Sequence, residues 1–215
     1  MKLDLEKIEN ELKNRCHYHY EWGQKQNDIW DARTNFIYET TDWEMLIEKI
    51  KNLITSENLD KKRAFNYAAN RWFNFWSAMA VEQIFSEMPQ IEKVPQSKDH
   101  KKDFYFCGIP FDHKTSVFPK HLKCTFEEAK NSKRTLIDWF YKNQSNQKRN
   151  HFHNRLFVVV FDKNGAHWKL KAEIGLLKNA IEAYVSNFKM EQLEQFNFTE
   201  ETQTVSDVIF VNKNN

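Results

Sequence analysis

The chain has 215 residues, with 32 Lys or Arg against 30 Asp or Glu and only four Gly and four Pro. That length supports one domain, or one domain with an extension, and the scarcity of Gly and Pro argues against long unstructured linkers. Cys16, Cys107 and Cys124 are odd in number and irregular in spacing, which excludes a disulfide framework, and a net charge of +2 excludes a chain that is polybasic throughout.

In chain order, Leu5, Ile8 and Leu12 predict a first amphipathic helix. Thr41-Asp-Trp-Glu44 fits the S/T-x-x-E capping box ahead of Trp43, Leu46, Ile47, Ile50 and Ile54, which recur at helical spacing. Residues 1–60 are therefore expected to form a helical extension packed on a core of residues 61–215. Such an extension would contact substrate, form a homodimer or dock a partner subunit, and the sequence leaves the three open.

Residues 66–88 contain no Gly or Pro and are dense in aromatics, the pattern of a buried helix. Phe75, Ala78, Met79 and Phe85 recur at three- and four-residue spacing, and Glu82 falls on the same stripe. An acid on an apolar face wants a partner. Either it serves a site nearby, or it reaches solvent or a base such as Arg71.

The next segment, Asp103-Phe-Tyr-Phe-Cys-Gly-Ile-Pro-Phe-Asp112-His-Lys114, carries the most chemistry. It reads as a short strand, a Gly-Ile-Pro turn at Gly108 and a second strand, so that Asp103 is folded back against Asp112. Strand side chains alternate faces, hence Asp112 and Lys114 point one way and His113 the other. Two converging carboxylates repel unless a cation lies between them. Oxygen ligands completed by water and phosphate suit Mg²⁺ or Mn²⁺ better than zinc. A metal with a lysine beside it fits phosphodiester hydrolysis. The plainer reading is an ordinary hairpin with a surface Asp–Lys pair.

These residues resemble the PD-(D/E)xK nuclease superfamily, which includes restriction endonucleases, junction resolvases and transposon end-cleaving nucleases. The resemblance implies an α/β fold with a restriction-endonuclease-like αβββαβ core, a central mixed sheet flanked by helices. It assigns Asp103 as the first acid, Asp112 and Lys114 as the triplet, the His113 backbone carbonyl as a metal ligand, and Glu82 as a supplementary acid. Lys102 stands where the family has proline, and Asp99, in a charged loop, is the rival for the first acid. The implied activity is that of a Mg²⁺-dependent endonuclease acting on DNA.

Downstream, residues 126–141 read as one helix or two short ones, and Arg155-Leu-Phe-Val-Val-Val-Phe161 as a strand buried on both faces. Helix then strand matches the order the resemblance implies. The polar stretch between them holds Gln144, Lys148 and Arg149, amide and basic side chains suited to base edges and phosphates. Residues 168–188 read as a helix and residues 205–211 as a last strand.

Charge is uneven along the chain. Residues 93–155 hold 14 Lys or Arg against 6 Asp or Glu, an excess of +8, while the rest of the chain carries −6. A basic region around the acids is what a polyanionic substrate requires, with Lys120, Lys123, Lys133 and Arg134 as further phosphate contacts. A nucleic-acid-binding or assembly module that keeps the fold without catalysis would share this charge.

Cys16-His17-Tyr-His19 and His151-Phe-His153 bring histidines two apart, but no CxxC or HExxH accompanies them. Nucleotide, dinucleotide and nucleophile-elbow motifs are absent too. The opening Met-Lys-Leu-Asp-Leu lacks an apolar signal region, and no stretch approaches the roughly 20 apolar residues of a membrane span. A soluble cytoplasmic protein is expected.

Overall fold

The computed structural model describes residues 2–94, 102–143, 152–198 and 203–213. It divides into two compact units, Met1–Ala80 with Lys171–Gly175, and Val81–Leu170 with Leu176–Asn215. The division falls inside a continuous helix and not ahead of it at residue 60.

The first unit is helical, with α1 (Leu5–Arg15), α2 (Asp28–Arg33), α3 (Trp43–Glu57) and most of α4 (Lys61–Ser86). Each of the first three starts at an acid or amide whose side chain accepts a backbone N–H three residues on: Asp4 from Lys7, Asn27 from Trp30, and Asp42 from Met45. The cap of α3 is thus Asp42 and not Thr41. Three residues beyond it stands Met45, which has no acid to return the bond, so the expected capping box does not form. Leu12, Leu46, Tyr67, Trp72 and Phe73 are fully buried. The buried indoles find acceptors, Trp72 Nε1 donating to the Thr40 carbonyl at 2.6 Å and Trp76 Nε1 to that of Ile37 at 2.9 Å.

The second unit is a mixed α/β layer structure. Its strands are β1 (Ile91–Lys93), β2 (Phe104–Phe106), β3 (Ile109–Val117), β4 (Arg155–Phe161), β5 (Glu194–Asn197) and β6 (Gln203–Asn212). They form a six-stranded sheet in the order β1-β2-β3-β4-β6-β5. The first three are antiparallel, β3–β4 and β4–β6 are parallel, and β5 returns antiparallel on β6.

Helices flank this sheet. On one face, α5 (Phe126–Asn131) and α6 (Lys133–Asn143) pack their Phe126, Leu136, Ile137, Phe140 and Tyr141 against Phe157, Val159 and Val208. On the other, α7 (Ile174–Ser186) places Tyr184 on Asp207, whose strand neighbour Ser206 faces α6. β4 sits between both layers, and its residues from Arg155 to Val160 are all buried, as its unbroken apolar run predicts. No described helix is long and apolar enough to cross a membrane.

Several element boundaries differ from the sequence pattern, α4 running Lys61–Ser86 and β6 Gln203–Asn212. Of the two forms open for 126–141, the structure has two helices, broken at Ser132, whose backbone leaves helical geometry (φ −143°). The stretch from 168 opens as a 3-10 turn, His167–Ala172, and becomes α-helical at Ile174. The short strands β1 and β5 have no counterpart in the sequence reading. Ile109 and Pro110 belong to β3, which shortens the turn to Cys107-Gly108.

Candidate functional site

The β2–β3 hairpin is closed by the pair Phe106 and Ile109, leaving a two-residue turn. Both turn residues are left-handed, Cys107 at φ 50° and Gly108 at φ 77°. That is the geometry of a type I′ turn, whose twist suits paired strands. The hairpin register follows, with Phe104 opposite Phe111.

Beyond the turn, alternation along β3 puts Asp112 and Lys114 on one face. Lys114 Nζ donates to Asp112 Oδ1 at 2.8 Å. The other oxygen of Asp112 is held from β4. In the parallel pairing Arg155 lies level with Asp112, and its Nε donates to Asp112 Oδ2 at 3.0 Å. Side-chain exposure separates the two cations, 48% for Lys114 and 7% for Arg155. The acid thus has one base toward solvent and one inside.

Arg155 is itself backed by α6. Its guanidinium lies 5.5 Å from the centre of the Tyr141 ring. The Tyr141 hydroxyl donates to the His153 carbonyl at 2.6 Å and meets Ser206 Oγ at 2.6 Å. Burial pushes that hydroxyl up to about 12. Asn154 ties the strand ends beneath, its carbonyl accepting from the Asp112 N–H and its side chain bridging the Pro110 carbonyl and the Val205 N–H.

His113 occupies the opposite face, as alternation requires. Its ring lies 5.9 Å from that of Phe85 near the end of α4 and 6.4 Å from Phe104. Asp103 is its partner. Asp103 Oδ2 accepts from the His113 backbone N–H at 2.8 Å and lies 2.7 Å from His113 Nδ1. Burial raises the Asp103 carboxyl, but the bonds and charge of His113 outweigh it and hold the group below its usual value. Asp103 stands at a bend before β2, and its N–H donates to the Phe111 carbonyl at 2.8 Å.

The hairpin therefore brings Asp103 and Asp112 to neighbouring levels, yet bonds each within its own set. Asp112 joins Lys114 and Arg155, and Asp103 joins His113. Both bonds of Asp103 fall on Oδ2, so among the described residues Oδ1 is not engaged. A residue's N–H and C=O leave a strand on the same side, hence the His113 carbonyl leaves β3 by the edge from which its N–H reaches Asp103. Among the described residues, the oxygen donors at this end of the hairpin include these two carboxylates and that carbonyl. No three His, Cys, Asp or Glu side chains among the described residues group as metal ligands.

Glu82 is half-buried on α4, one turn before Phe85, on the stripe whose Phe85 faces His113. That stripe serves the Asp103 side of the hairpin. Arg71, the alternative partner for Glu82, is taken up in the first unit by Asp31 at 3.1 Å and the Tyr38 hydroxyl at 2.7 Å.

Lys120 and Lys123 are exposed in the loop after β3. Lys133 and Arg134 are not available in the same way. Lys133 pairs with Asp207, a carboxylate buried to 0% exposure, which also accepts from Tyr184 Oη at 2.8 Å and Gln192 Nε2 at 2.9 Å. Pairing of β5 ends at Ser206, which leaves the edge of β6 open to Lys133 at the next residue. Arg134 bonds Glu194 and the Gln195 carbonyl and covers the Phe196 ring. Both bases are thus engaged at the sheet edge, Lys133 with a buried acid and Arg134 in an exposed pair. Gln144, Lys148 and Arg149, with the rival acid Asp99 and with His151, lie outside the described residues.

Sequence reasoning missed Arg155, Tyr141 and Ser206. One signal was present: a base opening a strand that is otherwise wholly apolar needs a buried counter-charge.

No family model matches the chain, and no curated protein or solved structure is significantly similar to it.

Proposed function

We propose that the chain is a metal-dependent nuclease of the PD-(D/E)xK type, an endonuclease hydrolysing phosphodiester bonds in DNA. The observation that carries this reading is the Asp112–Lys114 pair on one face of β3, with Asp103 drawn to the same end of the hairpin. Element order supports it. From α4 through β1, β2, β3, the α5–α6 pair and β4, the chain runs α-β-β-β-α-β, the order of the restriction-endonuclease-like core.

The donor types suit a hard divalent cation, since both acids and the carbonyl offer oxygen and the bonds of Asp103 leave its Oδ1 open. Asp103, Asp112 and the His113 carbonyl would hold Mg²⁺ or Mn²⁺, with Glu82 contributing from α4. When bound, such an ion supplies Lewis-acid activation of water and offsets charge on the phosphate. Lys114, half in solvent and mobile on its four-carbon stem, releases Asp112 and turns to the scissile phosphate or the attacking water. There its ammonium stabilises the negative charge that builds as water oxygen bonds to phosphorus and the P–O bond to the leaving sugar oxygen breaks. The proton lost by the attacking water passes to bulk solvent, and the leaving oxygen takes its proton from bulk water. Lys120 and Lys123 add phosphate attraction from the neighbouring loop.

A plasmid and oligonucleotide cleavage assay in Mg²⁺ or Mn²⁺ tests this reading. The wild-type chain should cut, EDTA should stop it, and Lys114→Ala should lower the rate by roughly 10²-fold or more while leaving folding and DNA binding intact. Equal cutting by Lys114→Ala, or none by the wild type, would overturn it.

One observation favours a second reading, a nucleic-acid-binding or assembly module without catalysis. Both oxygens of Asp112 already hold a cation, Lys114 and Arg155. The pair needs no metal for charge balance. Calorimetric titration with Mn²⁺ separates the two readings, for absence of uptake alongside retained DNA binding would select the module.

A further inference from the structure

We infer that Arg155 is a positioning residue for Asp112, holding one carboxylate oxygen permanently so that Asp112 can offer only Oδ1 to an incoming ligand. The inference rests on the nuclease reading and adds to it a residue outside the acid-x-lysine pattern.

Four features carry it. The β3–β4 register sets Arg155 level with Asp112, and Nε reaches Oδ2 at 3.0 Å. The Arg155 side chain is 7% exposed, which keeps its guanidinium inside the fold. Tyr141 closes the space behind it, with the ring 5.5 Å from the guanidinium carbon and standing edge-on to Phe157 at 5.7 Å and 89°. The Tyr141 hydroxyl is pinned at both ends of its reach by the His153 carbonyl and Ser206 Oγ. A chain of contacts thus runs from β6 through α6 and β4 to the acid on β3.

Lys114 holds the opposite oxygen from the solvent side at 2.8 Å and is half exposed. Of the two cations on Asp112, Lys114 has solvent to move into and Arg155 is enclosed. Oδ2 stays committed, the carboxylate plane is fixed by that bond, and any ligand gained must come at Oδ1 as Lys114 moves off. Partners that orient a metal ligand in this way typically change metal affinity or rate by roughly 10–100-fold when removed.

The experiment uses the full chain with Arg155→Met and Arg155→Lys. Each is read for folding by circular dichroism, for kcat and KM on an oligonucleotide duplex, and for the Mn²⁺ concentration giving half-maximal rate. Arg155→Met should keep KM for DNA, raise the half-maximal Mn²⁺ concentration and lower kcat, each by roughly 10–100-fold. Arg155→Lys keeps a charge at the position and should recover part of both. A purely structural arginine would lower the folded fraction and leave the Mn²⁺ dependence of the folded protein unchanged, and that result overturns the inference. If Arg155→Met does not fold, an unchanged Mn²⁺ dependence in Arg155→Lys overturns it equally. A folded wild-type chain that neither takes up Mn²⁺ nor cuts removes the nuclease reading and this inference together, whereas an active wild type with indifferent variants removes only the inference.

Discussion

Asp112 and Lys114 were legible because alternation along a strand is a local rule that needs no partner strand. Asp103–His113 and Asp112–Arg155 were not, since each depends on which residue stands opposite across a ladder. A one-residue slip would have exchanged these partners. Asp207 illustrates the same limit at a second position. It lies within an apolar-looking stretch, and nothing nearby in sequence shows that Lys133, Tyr184 and Gln192 converge on it. In the fold it is a buried acid with a cation, a phenol and an amide all donating to it, beside the N–H of Val208 at 2.7 Å. Removing the carboxylate leaves three donors and a partly buried ammonium without their acceptor. Asp207→Ala is therefore expected to destabilise the chain by about 3–5 kcal/mol, read as a fall in the urea midpoint. A loss under about 1 kcal/mol would mean the pair is as weak as an exposed one.

At the scale of elements, long periodic or uniformly apolar segments were readable and short ones were not. β4 and the stripe of α4 announce themselves over many residues, whereas β1 and β5, at three and four residues, are too short to show a period. The hairpin turn was placed slightly too far along the chain. Gly108 and Pro110 are both turn formers, but proline's fixed φ is also compatible with an extended strand, and here Pro110 pairs opposite Tyr105. The turn that results puts a cysteine in the left-handed region, where a side chain costs about 1–2 kcal/mol and asparagine is better tolerated. Cys107→Asn should raise stability by up to about 1 kcal/mol. Gly108→Ala should lower it by about 1 kcal/mol, and this cost is conformational, since an added Cβ meets nothing within 4 Å. Guanidinium denaturation of the two variants checks the opposite signs. The same shift in both would show that the turn is not type I′.

Over the whole molecule, the sequence reading and the fold agree on helices first and a mixed sheet after, but not on where one unit passes to the other. The passage lies within α4 after Ala80. No Gly, Pro or break in pattern marks it, because a single helix serves both cores. The two units nevertheless share a physical weakness at high pH. Burial raises the phenols of Tyr67 in the first unit and Tyr141 in the second to about 12, and burial with the Asp207 charge raises Tyr184 further still. An unfolded chain loses these protons near 10, so above that value the folded state binds more of them and stability falls as pH rises. Lys171 acts in the opposite sense, since burial lowers its ammonium to about 8. Between there and its ordinary range the unfolded chain holds the extra proton, and stability rises with pH. The two contributions predict a denaturation midpoint that gains slightly from pH 8 toward 10 and then declines steeply toward 12. Absorbance at the phenolate band, followed with the midpoint, should show part of the tyrosine signal appearing only as the fold is lost. Lys171→Met should flatten the rise below pH 10 and leave the decline above it, whereas a midpoint that stays level from pH 8 to 12 would mean that these groups are open to solvent in the folded protein.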